Sequence, residues 1–348
     1  MGKYFHRLGD GSAVEMSAKD IMADLVEGSE DAARRGGIPP LDKEAYAYLL
    51  DIFCSPQKFI SVERGREIIL SYDAATLKIR RVGVQVDRIS ALQIYEKIMG
   101  ADTMELAHVD YSFKPVKPIA RFEQPVFEQA LLDTHIPLFY GAQPNLGLYS
   151  RPDGPFPNPA ELLPEGRIRE AQDSYEASAG DLTKDIVYVG SLMIESGADG
   201  INLDTTGSAG DADFLAALLA TEILKAKYPD ICIEIGMAGE FVLGMHSELT
   251  YKGERLAGMY PHQQVKMAQA AGATIFGPVC NTNSGKSAAW NLARAVTFMK
   301  ACGEASDIPI HPNMGMGVGG VTLNDQPPVD VVSRSSAAMT TLCRLDGL

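Results

Sequence analysis

The chain has 348 residues, 46% of them hydrophobic, and a formal net charge of −14. That is enough apolar material for one barrel-sized domain or two smaller ones. The acidic balance opposes non-specific nucleic-acid binding, which rests on Lys and Arg neutralising phosphates, and favours docking on a basic patch.

In chain order, residues 1–100 read as an accessory region. It has helical patterns at 18–25 and 41–53, a strand-like pair at 66–71 and 77–84, and a helix at 89–99. From 101 to 348 the order becomes regular. Apolar runs at 105–109, 136–140, 200–203, 232–235, 274–276 and 308–310 read as strands. Helical patterns at 125–133, 168–195 (in one or two pieces), 212–227, 261–270, 286–302 and 331–342 fall between and after them. In the helix at 212–227, Phe214, Leu215, Leu218, Leu219 and Ile223 make one apolar face, with Asp211 as a cap. Alternating strands and helices predict a parallel sheet with helices outside. The expected architecture is α/β, a TIM-type (β/α)8 barrel that reaches only about six units. The run Arg344-Leu345-Asp346-Gly347-Leu348 reads as a further strand cut short. The Gly- and Pro-rich loop 144–164 is expected to cap one barrel end.

No apolar run reaches the ~18 residues of a membrane span, and the N-terminus lacks an apolar signal core. Five scattered cysteines (Cys54, Cys232, Cys280, Cys302 and Cys343) form no C-x-x-C pair. They read as reduced thiols of a cytoplasmic protein.

Side-chain alternation sorts the strands. Ile201 and Leu203 share one face, Asn202 and Asp204 the other. Glu234 opposes the isoleucines of its strand, and His311 and Asn313 oppose Ile308 and Ile310. Apolar faces should meet the helices, so the polar ones point into the barrel mouth, where active sites of this fold lie. Asp204, Glu234, Glu240, Asn281, Asn283 and His311 are therefore the site candidates. A carboxylate buried in such a place is costly unless it is paired.

Three motifs carry less. Gly315-Met316-Gly317-Val318-Gly319-Gly320 has G-x-G-x-x-G spacing, but loop residues follow where a dinucleotide fingerprint needs a helix. Ser284-Gly285-Lys286-Ser287 mimics the end of a P-loop, yet its first glycine would fall on Cys280. Cys280 and His311 are the one zinc-ligand pair to consider, without an evident third ligand, so no metal is expected.

Several runs carry a resemblance. Gly100-Ala101-Asp102-Thr103-Met104-Glu105-Leu106, Ile136-Pro137-Leu138-Phe139-Tyr140, Gly197-Ala198-Asp199-Gly200-Ile201-Asn202-Leu203-Asp204, Gly236-Met237-Ala238-Gly239-Glu240, Asn281-Thr282-Asn283 and Asn313-Met314-Gly315-Met316-Gly317-Val318-Gly319-Gly320 are long and unusual. The chain resembles the dimethylamine:corrinoid methyltransferases of methylamine-using methanogens over nearly its whole length. The resemblance implies a TIM barrel that moves a methyl group from dimethylamine to the Co(I) corrinoid of a dimethylamine-specific partner protein, leaving methylamine. It implies no directly bound cofactor, archaeal origin, and a homo-oligomer. It also implies pyrrolysine, encoded by an amber codon, just after a segment like Leu345-Asp346-Gly347-Leu348. This 348-residue chain is then expected to stop at that codon and to lack the pyrrolysine and the last two barrel units. On this reading Asp204, Glu234 and Glu240 handle the cationic amine, while Tyr140, Asn281, Asn283 and His311 bind or orient it. The glycines Gly315, Gly317, Gly319 and Gly320 form a corrinoid-facing loop. The alternatives are a zinc-dependent barrel methyltransferase and a non-catalytic truncated fragment.

Overall fold

The computed structural model describes residues 2–57, 60–61, 66, 116–119, 149–244, 246–324 and 327–348. The helices expected at 89–99 and 125–133 and the strands expected at 77–84, 105–109 and 136–140 lie outside them, as does all but Arg66 of the strand expected at 66–71. The described elements are β1 (Lys3–Arg7), β2 (Ala13–Ser17), α1 (Ala18–Gly36), α2 (Lys43–Cys54), β3 (Val116–Ile119), α3 (Pro159–Leu162), α4 (Ile168–Glu195), β4 (Gly200–Thr206), α5 (Asp211–Lys227), β5 (Cys232–Met237), β6 (Thr250–Tyr251), β7 (Glu254–Arg255), α6 (Pro261–Ala271), β8 (Ile275–Gly277), α7 (Ala288–Ala305) and α8 (Val329–Leu342). The chain divides into two compact units. One is Met1–Ile68 with Tyr260–Lys266 and Gly277–Leu348; the other is Ile69–Met259 with Met267–Phe276.

The first unit is built on α1 against α7. A capping box starts α1: Ser17 Oγ accepts from the Asp20 N–H, and the Asp20 carboxylate accepts from Ser17. Gly37 in the left-handed region (φ 63°) ends it. Gly28 lets the helices approach closely, since a Cβ there would lie 2.1 Å from the Trp290 carbonyl oxygen. Around this crossing Ile21, Leu25, Leu49, Leu292, Val296, and Phe298 are buried. Asp31 accepts from Arg294 Nε at 3.0 Å and from Arg34 and Arg35 of its own helix. Leu345 and Leu348 pack against the same core.

The second unit holds a four-stranded sheet in the order β3-β4-β5-β8. Three of its strands are parallel, and β3 pairs antiparallel with β4 at the edge. Pro118 in β3 has no N–H, which suits an edge position. The β4/β5 register aligns Gly200 with Cys232, Ile201 with Ile233 and Asn202 with Glu234. Ile201, Leu203, Ile233 and Ile235 are fully buried or nearly so. Ile201 faces α4 and α5, because a Cβ on Gly190 would lie 3.3 Å from Ile201 Cδ1 and 3.0 Å from Leu224 Cδ1. In α5 the dipole is matched at both ends, by Asp211 and Asp213 in the first turn and Lys225 and Lys227 in the last.

Several expectations need correction. Of the six expected parallel strands, two lie outside the described residues; those at 200–203, 232–235 and 274–276 form the parallel part of the sheet, and no barrel closes among the described residues. The strand expected at 308–310 shrinks to Ile310. Its carbonyl accepts from the Asp346 and Gly347 N–H groups at 3.0 and 3.2 Å, and its N–H donates to Asp346 Oδ2. Pro309, lacking an N–H, limits any longer ladder. The C-terminal residues thus fold onto Ile310. The pattern at 168–195 is one helix of 28 residues. Gly210 (φ 96°) caps α5, and Asp211 is its first helical residue. The buried face of that helix runs through Phe214, Ala217, Leu218, Thr221 and Leu224, leaving Ile223 47% exposed. The described part of the loop expected to be a cap is fastened to α4. Tyr149 donates to Asp185 Oδ2 at 2.6 Å, and Ser174 donates to the Pro157 carbonyl.

Candidate functional site

The parallel strands place their polar residues as alternation requires. In the second unit Asn202 is 4% exposed, Glu234 4%, and Asp204 half-buried. Register puts Asn202 beside Glu234 on one face of the sheet. Gly236 follows on that face. A Cβ there would lie 3.1 Å from Asp204 Oδ1 and 3.2 Å from Asn202 Oδ1, so both oxygens overhang the glycine. Asn202 Oδ1 is buried and has no hydrogen-bond partner among the described residues.

Beyond β5 the chain enters an ordered loop. The Ala238 N–H donates to the Thr206 carbonyl at 2.8 Å, tying the ends of β4 and β5 together. Glu240 is 5% exposed in this loop, next to exposed Phe241. Val242 and Met259 hold the loop's two ends in a backbone bond of 3.0 Å. The Asp211 N–H anchors it to α5 through the Leu243 carbonyl at 2.8 Å. After β4, Asp213 accepts from Ser208 Oγ and the Ala209 N–H, and its burial pushes the carboxyl up to about 6. At the opposite end of β5, burial pushes the Cys232 thiol up, and Thr274 Oγ1 donates to its sulfur at 3.2 Å.

The remaining candidates belong to the first unit. Asn283 is exposed, and its side-chain oxygen accepts from the Gly285 N–H at 3.0 Å. Its backbone is clasped by Asn291, which accepts from the Asn283 N–H at 2.7 Å and donates to its carbonyl at 3.0 Å. That residue therefore builds the turn leading into α7. Asn281 is exposed and bridges to Val318. His311 is half-buried and follows Ile310. Tyr140 lies outside the described residues.

The glycine loop is bound to the segment after β8. Thr282 donates its N–H to the Gly317 carbonyl at 2.6 Å, and Gly319 donates to the Cys280 carbonyl at 2.8 Å. Gly317, Gly319 and Gly320 have φ of 74°, 66° and 79°, where a side chain is strained. Gly320 also abuts Leu292, whose Cα would lie 2.9 Å from a Cβ. Internal packing therefore accounts for these glycines, Gly315 closes a turn to Val318, and Met316 is the exposed tip. Cys280 is buried, and Arg294 Nη1 donates to its sulfur at 3.4 Å. Among the described residues no group of three or more His, Cys, Asp or Glu is arranged to hold a metal ion.

Sequence reasoning placed Asn202 on the polar face but not in the site. The telling feature was its alternation with Asp204, together with a glycine two residues beyond Glu234.

The described fold is mixed α/β, and its neighbouring parallel strands β4 and β5 bring Asn202, Asp204 and Glu234 to one face of the sheet. The chain belongs to the dimethylamine methyltransferase family, whose model matches residues 2–348. It is accordingly a methyltransferase of methylamine metabolism. A search of the solved structures finds no match. No helix among the described residues is long and apolar enough to cross a membrane.

Proposed function

We propose that the protein removes one methyl group from dimethylamine and delivers it to the Co(I) corrinoid of a dimethylamine-specific partner protein, leaving methylamine. The family match over residues 2–348 carries the substrate class. The acid-bearing face of β4 and β5 fits it chemically. A neutral dimethylamine would have to release an amide anion, a poor leaving group, so the nitrogen must be cationic when the carbon–nitrogen bond breaks. The bonding pair then stays on nitrogen, and dimethylammonium yields neutral methylamine directly. Asp204 and Glu234 hold that cation by charge-assisted hydrogen bonds to its N–H groups. Glu240, from the loop after β5, adds a further negative charge. Co(I) supplies a strong nucleophile for the methyl group. Pyrrolysine, which the family resemblance places after Leu348, would bind the amine and orient it. Asn281, Asn283, His311, Tyr140 and the Gly315–Gly320 loop are assigned by resemblance to substrate orientation and corrinoid approach.

The parallel strands are read as part of a (β/α) barrel spanning 101–348, with 1–100 as an accessory region, in a cytoplasmic homo-oligomer. The net charge of −14 suits a basic docking face on the corrinoid protein. The test is to incubate the pyrrolysine-containing protein with dimethylamine and the reduced corrinoid protein and to measure amines by chromatography. One methylamine per dimethylamine consumed is expected. Absence of methylamine, with the corrinoid shown to be reduced, overturns the reading.

A further inference from the structure

We propose that the groove between α1 and α2 seats α2 of a second copy of this chain, in a two-fold pairing centred on Ala47. This rests on the homo-oligomer of the reading above and gives it an interface.

The groove measures about 610 Å³, and Tyr4 of β1, Met22 of α1 and Tyr46 and Leu50 of α2 make its apolar wall. All four belong to the first unit. Their side chains are only half-buried, so apolar surface is left to cover. Lys43, Ala47 and Asp51 line the same groove and are exposed. Standing four residues apart, they form one ridge along α2, and Tyr46, Leu50 and Cys54 form the next. The furrow between two such ridges is the shape that a ridge of another helix fills.

Charge selects the occupant. A net charge of −14 makes two copies repel, so self-association needs a face that offsets the repulsion. The outer ridge carries one cation and one anion with a small residue midway. Neither Lys43 nor Asp51 has an ion pair among the described residues. They lie about 12 Å apart along the helix, about 6 Å to either side of Ala47. An antiparallel second α2, placed about a two-fold axis at Ala47, therefore sets Lys43 of each copy against Asp51 of the other. One ridge supplies two reciprocal pairs, as a self-complementary interface requires. The methyl group of Ala47 lets the helices approach, and Tyr46 and Leu50 enter the opposite furrow. An unrelated helix would need its own acid and base at this spacing, whereas the chain already carries them.

The test is sedimentation equilibrium, giving the dissociation constant for self-association of the full-length protein and of Lys43→Glu, Asp51→Lys, the variant carrying both changes, and Ala47→Glu. Thermal melting is the fold control. Wild type should self-associate. Each single reversal should raise the dissociation constant about tenfold or more, because symmetry turns both pairs into like-charge contacts. The double variant re-forms both pairs with their signs exchanged and should return to within about threefold of wild type. Ala47→Glu should weaken association about tenfold or more, since two carboxylates then meet at the axis. Asp51→Lys makes the chain less acidic, so general repulsion alone predicts a tighter assembly; tightening by this variant overturns the inference. Weakening by both single reversals with no recovery in the double variant also overturns it. If a single reversal fails to fold, unchanged association of Ala47→Glu overturns it instead. Wild type that is monomeric yet forms methylamine defeats this inference and the homo-oligomer but leaves methyl transfer standing. Variants that lose only binding to the corrinoid protein, with self-association unchanged, give the groove to that protein and overturn the inference.

Discussion

Asn202 on β4 and Glu234 on β5 are register partners on neighbouring parallel strands, and both side chains are 4% exposed. The pair sets a neutral acceptor beside an acid where the sheet is buried on both faces. Removing the acid's charge while keeping its shape isolates its role. Glu234→Gln should melt like wild type and lower kcat/KM for dimethylamine about ten- to a hundredfold, the loss of one charge-assisted bond to a cation. An unchanged kcat/KM removes Glu234 from the site.

The α1/α7 crossing depends on a missing side chain. Gly28 meets the Trp290 carbonyl so closely that any Cβ must push the helices apart. Gly28→Val should cost about 3 kcal/mol or more through overpacking. Urea denaturation reads this as a lower midpoint. A midpoint matching wild type would contradict the close crossing.

Arg294 bonds Asp31 at 3.0 Å and also donates to the Cys280 sulfur and the Asn281 carbonyl. Its guanidinium lies 5.3 Å from the centroid of the Phe298 ring. Burial works against the Asp31 charge, but Arg294 and Arg35 outweigh it and hold the carboxyl below its usual range. Arg294→Leu should therefore cost about 3 kcal/mol, as for a broken buried pair. Because the folded-state pKa is depressed, the stability Asp31 adds is present above the unfolded value and is lost as pH falls through the folded one. The gap between wild type and Arg294→Leu in chemical denaturation should accordingly narrow in acid. A gap that stays constant down to acid unfolding would count against this pairing.

Asp213 runs in the opposite direction. Burial raises its carboxyl to about 6, against the pull of the Ala209 N–H and the Ser208 hydroxyl. Between roughly pH 4 and that value the folded protein keeps a proton that the unfolded chain has released. Stability conferred by Asp213 therefore falls as pH rises through that window and levels off above it. Relative to Asp213→Asn, wild type should lose about 2 kcal/mol between pH 4 and 6.5. A pH-independent difference between the two in denaturant titrations would refute it.

The face of α5 can be tested by a contrast of neighbours. Leu224 is fully buried, and Ile223 is 47% exposed. Leu224→Ala should cost about 2–5 kcal/mol, and Ile223→Lys less than about 0.5 kcal/mol. Equal losses would mean that the helix is turned differently.

Much was legible from residues alone. Strict alternation in Gly200-Ile201-Asn202-Leu203-Asp204 put Ile201 against the helices and Asn202 with Asp204 on the opposite face, and the structure has them so. The period of two is a property of any strand, so it needs no partner to be read. Helices at 212–227 and 261–270 also appeared within a residue of their observed bounds, because helical periodicity is a local pattern. The apolar face of α5 was read one position away from its true centre, since Ile223 and Leu224 are equally hydrophobic and only packing chooses between them.

What the sequence determined by itself was strand alternation, helix extent and the run of motifs that mark the family. Tertiary structure decided the rest. The expected strand at 308–310 dissolved because Asp346 and Gly347 took the hydrogen bonds of Ile310. The Asn283 side chain accepts from the Gly285 N–H, and its backbone is held by Asn291, contacts that its own neighbourhood in the sequence did not announce. The glycines of Gly315–Gly320 answer to their own backbone and to Leu292. Only the folded chain revealed that Gly236 lies beneath the oxygens of Asn202 and Asp204. A local pattern fixes which face a side chain takes, but register with a strand about 30 residues away fixes what it meets there.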